Sequence, residues 1–449
     1  GQFSDIVGQP MRNATGYVPT YSAHISDSAL CASCHNLKTP YVDAGGHVLT
    51  TTPDSEFPEQ MPYTEWQNSV FEDSGSNPQS CQDCHLPKTK SKVSNRPGWL
   101  SAKQGFAKHH LVGANTVMLT MLKNNAAQLG VTSSNLDLGI NRARNLLQTA
   151  ATVEIASAEI VGGVLETRVV VTNNSGHKLP TSYPSRRAWL HFKVTDNNNK
   201  VVFESGRIKA DGSIVGADSD VNQSAYEPHR QLIKWQGQVQ IYEAIMGDSN
   251  GKPTYTLLRA ARYLKDNRIT PKGFNKLSVP SDVAVRGRAT KDADFNLGSD
   301  EVVYQVRVAA GGTYNVTVSL NYQTIAHGYL RDLYNDGELQ QVKAFKKLYD
   351  AQSLKHEQIA SAQTTVGGGI SAVPVVDLSA SRLAIDPGKA SKLTWTSTNA
   401  TGCVASGAWR GVRDTSGYKW VKPSVTSTYI LTCTGAGGSA SDSVKITVR

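Results

Sequence analysis

Apolar positions divide this chain by their period. Over roughly the first hundred residues they keep no sustained rhythm, and Pro, Ser, Thr, Asn and Gly fill the gaps between them. Such a segment buries little of its own side-chain surface and calls for an outside staple. Helical spacing then begins: Asn115 reads as an N-cap, Met118, Met121 and Leu122 share a face, and Gly130 closes the helix. A second helix, near Leu136 to Ala150, presents Ile140, Leu146 and Leu147. From Val153 the period changes to two. Ile155 and Ile160 lead to the turn pair Gly162-Gly163, and Leu165 to Val171 follows, which predicts a hairpin. Leu190, Phe192 and Val194 alternate before the polar turn Asp196 to Asn199. Asp248-Ser249-Asn250-Gly251 reads as a hairpin turn. Gly311-Gly312 separates two strands, the second alternating as Tyr314, Val316, Val318, Leu320 and Tyr322. Together these predict an antiparallel β-sandwich. Helical spacing returns at Leu339, Val342, Phe345 and Leu348, with a further helix expected through Leu354 and Ile359. Gly367 to Pro374 is a flexible linker by composition. Beyond it, strands at Leu393 and Trp395 and at Tyr429 to Cys433 mark a compact β module.

The fold class this implies is α+β and multidomain. Residues 1–150 form a loop-rich, helical domain; 151–364 an antiparallel β-sandwich ending in helices; 365–374 a linker; 375–449 a β module. A chain of 449 residues is long enough for about three such domains. The net charge of +9 and pI near 9.1 change little, because the basic residues are scattered and form no Lys/Arg run. Nucleic acid is therefore not an expected partner. No apolar run approaches the ~20 residues of a membrane span.

Chemistry enters at Cys31-Ala32-Ser33-Cys34-His35 and again at Cys81-Gln82-Asp83-Cys84-His85. C-x-x-C-H is the attachment signature of haem c. Two thiols three positions apart can each add to one vinyl group of the same porphyrin, and the adjacent histidine reaches the iron as proximal ligand. The competing reading is a zinc site made of four thiolates. Against it, each pair is followed directly by His, and the intervening loop is far longer than a zinc knuckle needs. The expected cofactors are two haem c, with Cys31, Cys34, Cys81 and Cys84 as thioether positions and His35 and His85 on the irons. Covalent haem requires an exported protein, so a leader is expected to have been removed before Gly1. Cys403 and Cys433 are the two cysteines left over, and in an exported module a disulfide between them is the default.

The haem-bearing part resembles multihaem c-type cytochromes of bacterial respiratory and surface electron-transfer systems. The resemblance rests on Leu30 to Pro40, Tyr63-Thr64-Glu65-Trp66, Cys81 to Pro87, Phe106 to Asn115, Gly176 to Thr181 and Ser185 to Leu190. It spans roughly residues 1–345. The last module resembles the disulfide-bearing immunoglobulin-like domains appended to many bacterial exported proteins.

Low-spin haems need a sixth ligand. Among the unused histidines the candidates are His109, which precedes the Asn115 helix, His177, in the stiff turn before Leu179-Pro180, and His24, seven residues before Cys31. His110 competes with His109, and His229 is a weaker candidate; Met118 and Met121 fit a core face better. If His177 reaches an iron, Arg186 and Arg187 become candidates to pair with propionates. Asp292, Asp294 and Asp300 are a weak calcium candidate lacking a full loop signature. There is no nucleophile elbow, phosphate loop or dinucleotide fingerprint. The leading expectation is an exported dihaem cytochrome relaying electrons between redox partner proteins, periplasmic or at the cell surface. The alternatives are a haem enzyme with one open iron acting on peroxide or a nitrogen oxide, and a subunit of a cytochrome filament or complex.

Overall fold

A computed structural model describes residues 1–132, 134–309, 311–367, 373–435 and 437–449. It is mixed α and β, with mainly antiparallel sheets and ten α-helices among the described residues. Two compact units emerge: Gly1–Val308 with Tyr314–Val366, and Ala309–Thr313 with Gly367–Arg449.

The first part of the larger unit is built as the sparse apolar pattern implies, from short helices and two-stranded ribbons joined by long loops. Both Cys-x-x-Cys-His segments are helical, over Ala29–His35 and Cys81–His85. The helix predicted after Asn115 runs over Thr116–Asn124, and the Asn115 side chain accepts from Met118 N at 3.1 Å. A short helix, Ala126–Leu129, follows and is closed by Gly130 at φ +64°. The longer helix Leu136–Thr149 buries Ile140, Ala143 and Leu147.

Two sheets follow. Ala151–Val161, Val164–Asn173, Ser299–Arg307 and Leu232–Ile233 form one of four strands. Gly162 and Gly163 both take positive φ (59° and 78°), the left-handed geometry that a two-residue hairpin turn demands. The second sheet has seven strands, with Arg187–Asp196 at its centre between Ile241–Gly247 and Thr313–Gln323. Ser299–Arg307 and Thr313–Gln323 thus belong to different sheets. The Asp248 turn joins Ile241–Gly247 to Pro253–Thr254, with Gly251 N donating to the Asp248 carbonyl at 3.0 Å. One core draws on both sheets: Leu165, Val169, Val302 and Tyr304 from the first, Leu190, Phe192, Val316 and Leu320 from the second. The Phe192 and Tyr304 rings stack with centroids 3.8 Å apart.

The helix Gln340–Asp350 appears where apolar spacing returns, and a helix the sequence reading did not expect, His327–Asn335, precedes it. The helix expected through Leu354 and Ile359 does not form. Glu357–Gly367 is a strand on the edge of the seven-stranded sheet beside Thr313–Gln323. Its inward positions Glu357 and Ile359 alternate with exposed ones. An apolar residue near a sheet edge satisfies either period, and pairing decides. Of the linker expected over 365–374, residues 368–372 lie outside the described residues.

The smaller unit holds a three-stranded sheet and a five-stranded sheet. Its core gathers Leu393, Trp395, Trp409, Leu431 and Ile446 around a disulfide between Cys403 and Cys433. The two cysteines sit opposite each other on neighbouring strands, Gly402–Gly407 and Ser427–Gly435, of one sheet. In antibody domains the corresponding bridge joins the two sheets.

Candidate functional site

The Cys81 helix is only one turn long, and its capping explains why it forms. Asp83 N donates to the Ser80 hydroxyl at 3.2 Å, and the Asp83 carboxylate accepts from Ser80 N at 3.0 Å. The helical i, i+3 spacing then puts Cys81 and Cys84 on one side, with His85 next in the turn. The Cys31 helix places Cys31 and Cys34 alike. Its own N-cap, Ser28, bonds across to the second segment, its hydroxyl accepting from Cys81 N at 3.1 Å. Gln82 Nε2 donates to the carbonyls of Ile25 (3.1 Å) and Asp27 (2.8 Å). The two turns are therefore neighbours. Burial, and then the thiol of Cys81 beside it, push Cys31 up to about 11. All four thiols are free; Cys34 and Cys84 are exposed and Cys31 and Cys81 half-buried. Among the described residues they form no set of three or more ligand atoms within 4.8 Å of one another, so no four-thiolate zinc cage is assembled.

His85 meets His177. Their ring centroids are 6.3 Å apart and their planes differ by 26°. His85 Nδ1 lies 3.0 Å from the Val112 carbonyl, and His177 Nδ1 lies 3.0 Å from the Lys178 carbonyl. A carbonyl only accepts, so both Nδ1 atoms carry the proton, and both Nε2 atoms keep a lone pair. No protein partner of either Nε2 occurs among the described residues. This is the pattern of metal-ligating imidazoles, each oriented from its far nitrogen by an acceptor. Two metal–nitrogen bonds of about 2 Å would separate the centroids of facing imidazoles by about 6 Å, so the spacing of the rings is compatible with one metal ion held by both. Burial, then the neighbouring His85, hold His177 below the usual histidine range.

The loop bearing His177 is fixed by buried polar groups. Asn173, fully buried, donates from Nδ2 to the carbonyls of His177 (2.8 Å) and Ile269 (2.9 Å). Lys178 Nζ pairs with Asp266 at 2.7 Å, and Arg268 holds the same carboxylate at 2.9 and 2.7 Å. Burial opposes the charge on Asp266, but Arg268 and Lys178 outweigh it and hold its carboxyl at about 2. The helix Pro62–Gln67 reaches three segments in one turn. Thr64 Oγ1 accepts from Asn36 Nδ2 at 2.8 Å, Glu65 bonds the Lys178 backbone, and Trp66 Nε1 donates to the Gln79 carbonyl at 2.9 Å. Trp66 also crowds Gly176, where an added Cβ would stand 3.1 Å from Trp66 Cδ1.

The other candidate ligands are placed differently. His109 is exposed in the loop that flanks the second motif, where Leu111 N donates to the His85 carbonyl at 3.3 Å. His24 is exposed on the single turn Ala23–Ser26, its Nδ1 bonded to the Ser22 hydroxyl. His35 is exposed, and among the described residues no histidine faces it as His177 faces His85. Arg186 is half-buried and donates to the Thr181 carbonyl at 2.9 Å, within electrostatic reach of His177. Arg187 sits deeper than Arg186. Its guanidinium is fully buried on Asp220 (2.7 and 2.8 Å), with Nε on Gln323 at 2.8 Å, so most of its donors are engaged inside the fold.

A second cluster lies apart from these turns. His229, Asp292 and Asp300, all buried, each bring a ligand atom within 4.8 Å of the others. Asp294, the third member of the calcium expectation, is exposed and instead accepts from Glu301 N at 3.0 Å. His229 Nδ1 faces the amide nitrogens of Gln240 (2.8 Å) and Asn267 (3.0 Å). The oxygens of those amides accept from Arg230 N and Glu243 N, which sets their orientation and makes Nδ1 an acceptor. The ring proton therefore sits on Nε2, 2.9 Å from Asp292 Oδ2. That proton takes the lone pair a cation would need, so the cluster shares a proton and does not cage a metal.

No family model matches the chain, and no curated protein matches it. Among solved structures, the chain is similar to a penta-heme cytochrome c552 from Thermochromatium tepidum at 15% identity and a TM-score of 0.40, covering 77% of this chain and 58% of that one. It also aligns with Salmonella alpha-2-macroglobulin reacted with methylamine at 7% identity and a TM-score of 0.16, covering 66% of this chain and 16% of that one. Likeness at these levels bears on neither fold nor function. No helix among the described residues is long and apolar enough to cross a membrane.

Proposed function

We propose that this chain is an exported c-type cytochrome that carries two haem c groups and relays electrons between redox partner proteins. Cys31 and Cys34 would hold one porphyrin and Cys81 and Cys84 the other, with His35 and His85 as proximal ligands. The observation that carries the reading is the His85–His177 pair: two imidazoles 6.3 Å apart, each held through Nδ1 by a carbonyl, one of them at the end of a Cys-x-x-Cys-His turn. Haem c, when bound, supplies a one-electron iron couple.

His85 and His177 would be the two residues that hold one iron, which would bar substrate from it and favour a low-spin state. Without the methionine that raises potential, a low reduction potential is expected. Arg186, whose charge acts on His177, would be the residue to pair with a propionate. The two turns touch through Ser28 and Gln82, which favours electron exchange between the haems. For His35, His109 and His24 remain the sequence candidates, and a ligand from a second copy or a cytochrome complex is the further option. We read the two-sheet part as an antiparallel β-sandwich and the last unit as immunoglobulin-like, serving docking at the periplasmic or extracellular face.

The exposed, unfaced His35 favours one second reading, a haem enzyme with an open iron acting on peroxide or a nitrogen oxide. One experiment tests both. The haem content of the purified protein is counted, and the spectrum of the dithionite-reduced form is recorded with and without carbon monoxide. Two haems and no response support the electron carrier. A response from one haem that His177→Ala extends to the second supports the enzyme. A protein loaded with zinc and no haem overturns both.

A further inference from the structure

We propose that Glu65 is the positioning residue that orients the His177 imidazole toward the iron; this rests on His177 being that iron's ligand. Glu65 is fully buried. Its Oε2 accepts from Lys178 N at 3.0 Å and from Thr181 Oγ1 at 2.5 Å, bracketing the turn that follows His177. Its Oε1 pairs with Arg268 at 2.9 Å. Arg268 grips Asp266, and Asp266 grips Lys178 Nζ. Lys178 is thereby held at three points: its N–H by Glu65, its ammonium by Asp266, and its carbonyl by His177 Nδ1 itself.

Burying a carboxylate is expensive, and a buried network of two anions and two cations is a poor way to stabilise a fold compared with apolar packing. Its value lies in geometry, because an outer partner fixes the rotation and basicity of the imidazole it contacts. Placement on the ligand's own neighbour is what that role requires. Thr64 and Trp66, on either side of Glu65, tie the same helical turn to the residue after the first motif and to the segment before the second. The carboxylate therefore links His177 to the frame that carries both haem turns.

The test uses the full chain matured with haem. His177→Ala is the control and opens one iron to carbon monoxide in the reduced protein. Glu65→Ala is expected to open the same iron, with loss of one haem's low-spin ferric signal, while circular dichroism and haem content stay as in the parent. Glu65→Gln keeps an oxygen for Lys178 N–H and Thr181 O–H and is expected to stay closed. Should Glu65→Ala fail to fold, Thr181→Val, which removes a single bond to Glu65, is expected to give partial opening. A folded Glu65→Ala, or failing that a Thr181→Val, that stays closed beside an open His177→Ala overturns the positioning role. So does a Glu65→Gln protein as open as Glu65→Ala, since charge alone would then be responsible. If His177→Ala itself leaves the irons closed, it is the ligand assignment that falls.

Discussion

Asp300→Asn is the most informative perturbation outside the Cys-x-x-Cys-His turns. Asp300 is fully buried, and its Oδ2 accepts from Tyr242 OH at 2.7 Å and Gln240 Nε2 at 3.1 Å. Oδ1 has no hydrogen-bond partner among the described residues and lies 3.7 Å from His229 Nε2. Burial pushes the carboxyl up to about 7, against an opposing pull from His229 and Tyr242, with Asp292 adding to the rise. An acid whose folded value lies above its unfolded value of 3.8 keeps its proton on folding between those limits. Its contribution is fully present below about pH 4 and is lost as pH climbs through about 7. Integrated from pH 5 to pH 8, that loss is roughly 2 to 3 kcal/mol. Asparagine keeps an oxygen for Tyr242 and Gln240 and presents an uncharged NH2 where the protonated acid presents OH. The assay is urea unfolding of parent and variant at intervals from pH 5 to 8. Glu227, which burial also raises to about 7, is common to both and cancels in the difference. The stability difference should shift in favour of Asp300→Asn by roughly 2 to 3 kcal/mol between pH 5 and pH 8. A difference that stays flat with pH, or that shifts in favour of the parent toward pH 8, refutes a neutral buried Asp300.

Three further outcomes follow from the same contacts. Arg187→Ala strands Asp220 in the core and should cost roughly 3 to 5 kcal/mol in urea unfolding, while haem spectra and potentials stay unchanged; a shifted potential with intact stability would restore the propionate role. Removing the disulfide with Cys403→Ala and Cys433→Ala opens a loop of 30 residues' separation and should cost the smaller unit about 3.5 kcal/mol, read by calorimetry, with the haem spectrum untouched. Gly176→Ala puts a methyl 3.1 Å from Trp66, should destabilise by about 1 to 3 kcal/mol, and should raise carbon monoxide binding at the His85 iron; a variant identical to the parent in both would show that the loop has slack.

Legibility tracked the range of the interaction. The two Cys-x-x-Cys-His turns were readable because the motif is carried by five consecutive residues, and helical spacing alone puts both thiols on one side. The Gly162-Gly163 hairpin and the alternation from Tyr314 to Tyr322 were readable because a two-residue turn and a period of two are local properties. His177 was one candidate of several until the fold put it against His85, ninety-two positions earlier in the chain by residue number. Glu65 entered only as part of the resembling stretch Tyr63-Thr64-Glu65-Trp66, with no role of its own. The pair Arg186-Arg187 looked uniform, yet one side chain stays near His177 and the other is consumed by Asp220. Ile359 suited a helix until an open sheet edge paired with it.

What the sequence determined by itself, then, is structure whose partners lie within one turn: the Cys-x-x-Cys-His spacing, the cap at Asn115, the hairpin glycines, and which residues of a strand share a face. What only tertiary structure decided is which face meets which: His177 on His85, Glu65 on Lys178, Asp292 and Asp300 on His229 in place of Asp294. Periodicity states that a side chain is turned inward, but the charge, proton or metal it meets there is set by another segment, and no local rule specifies that segment.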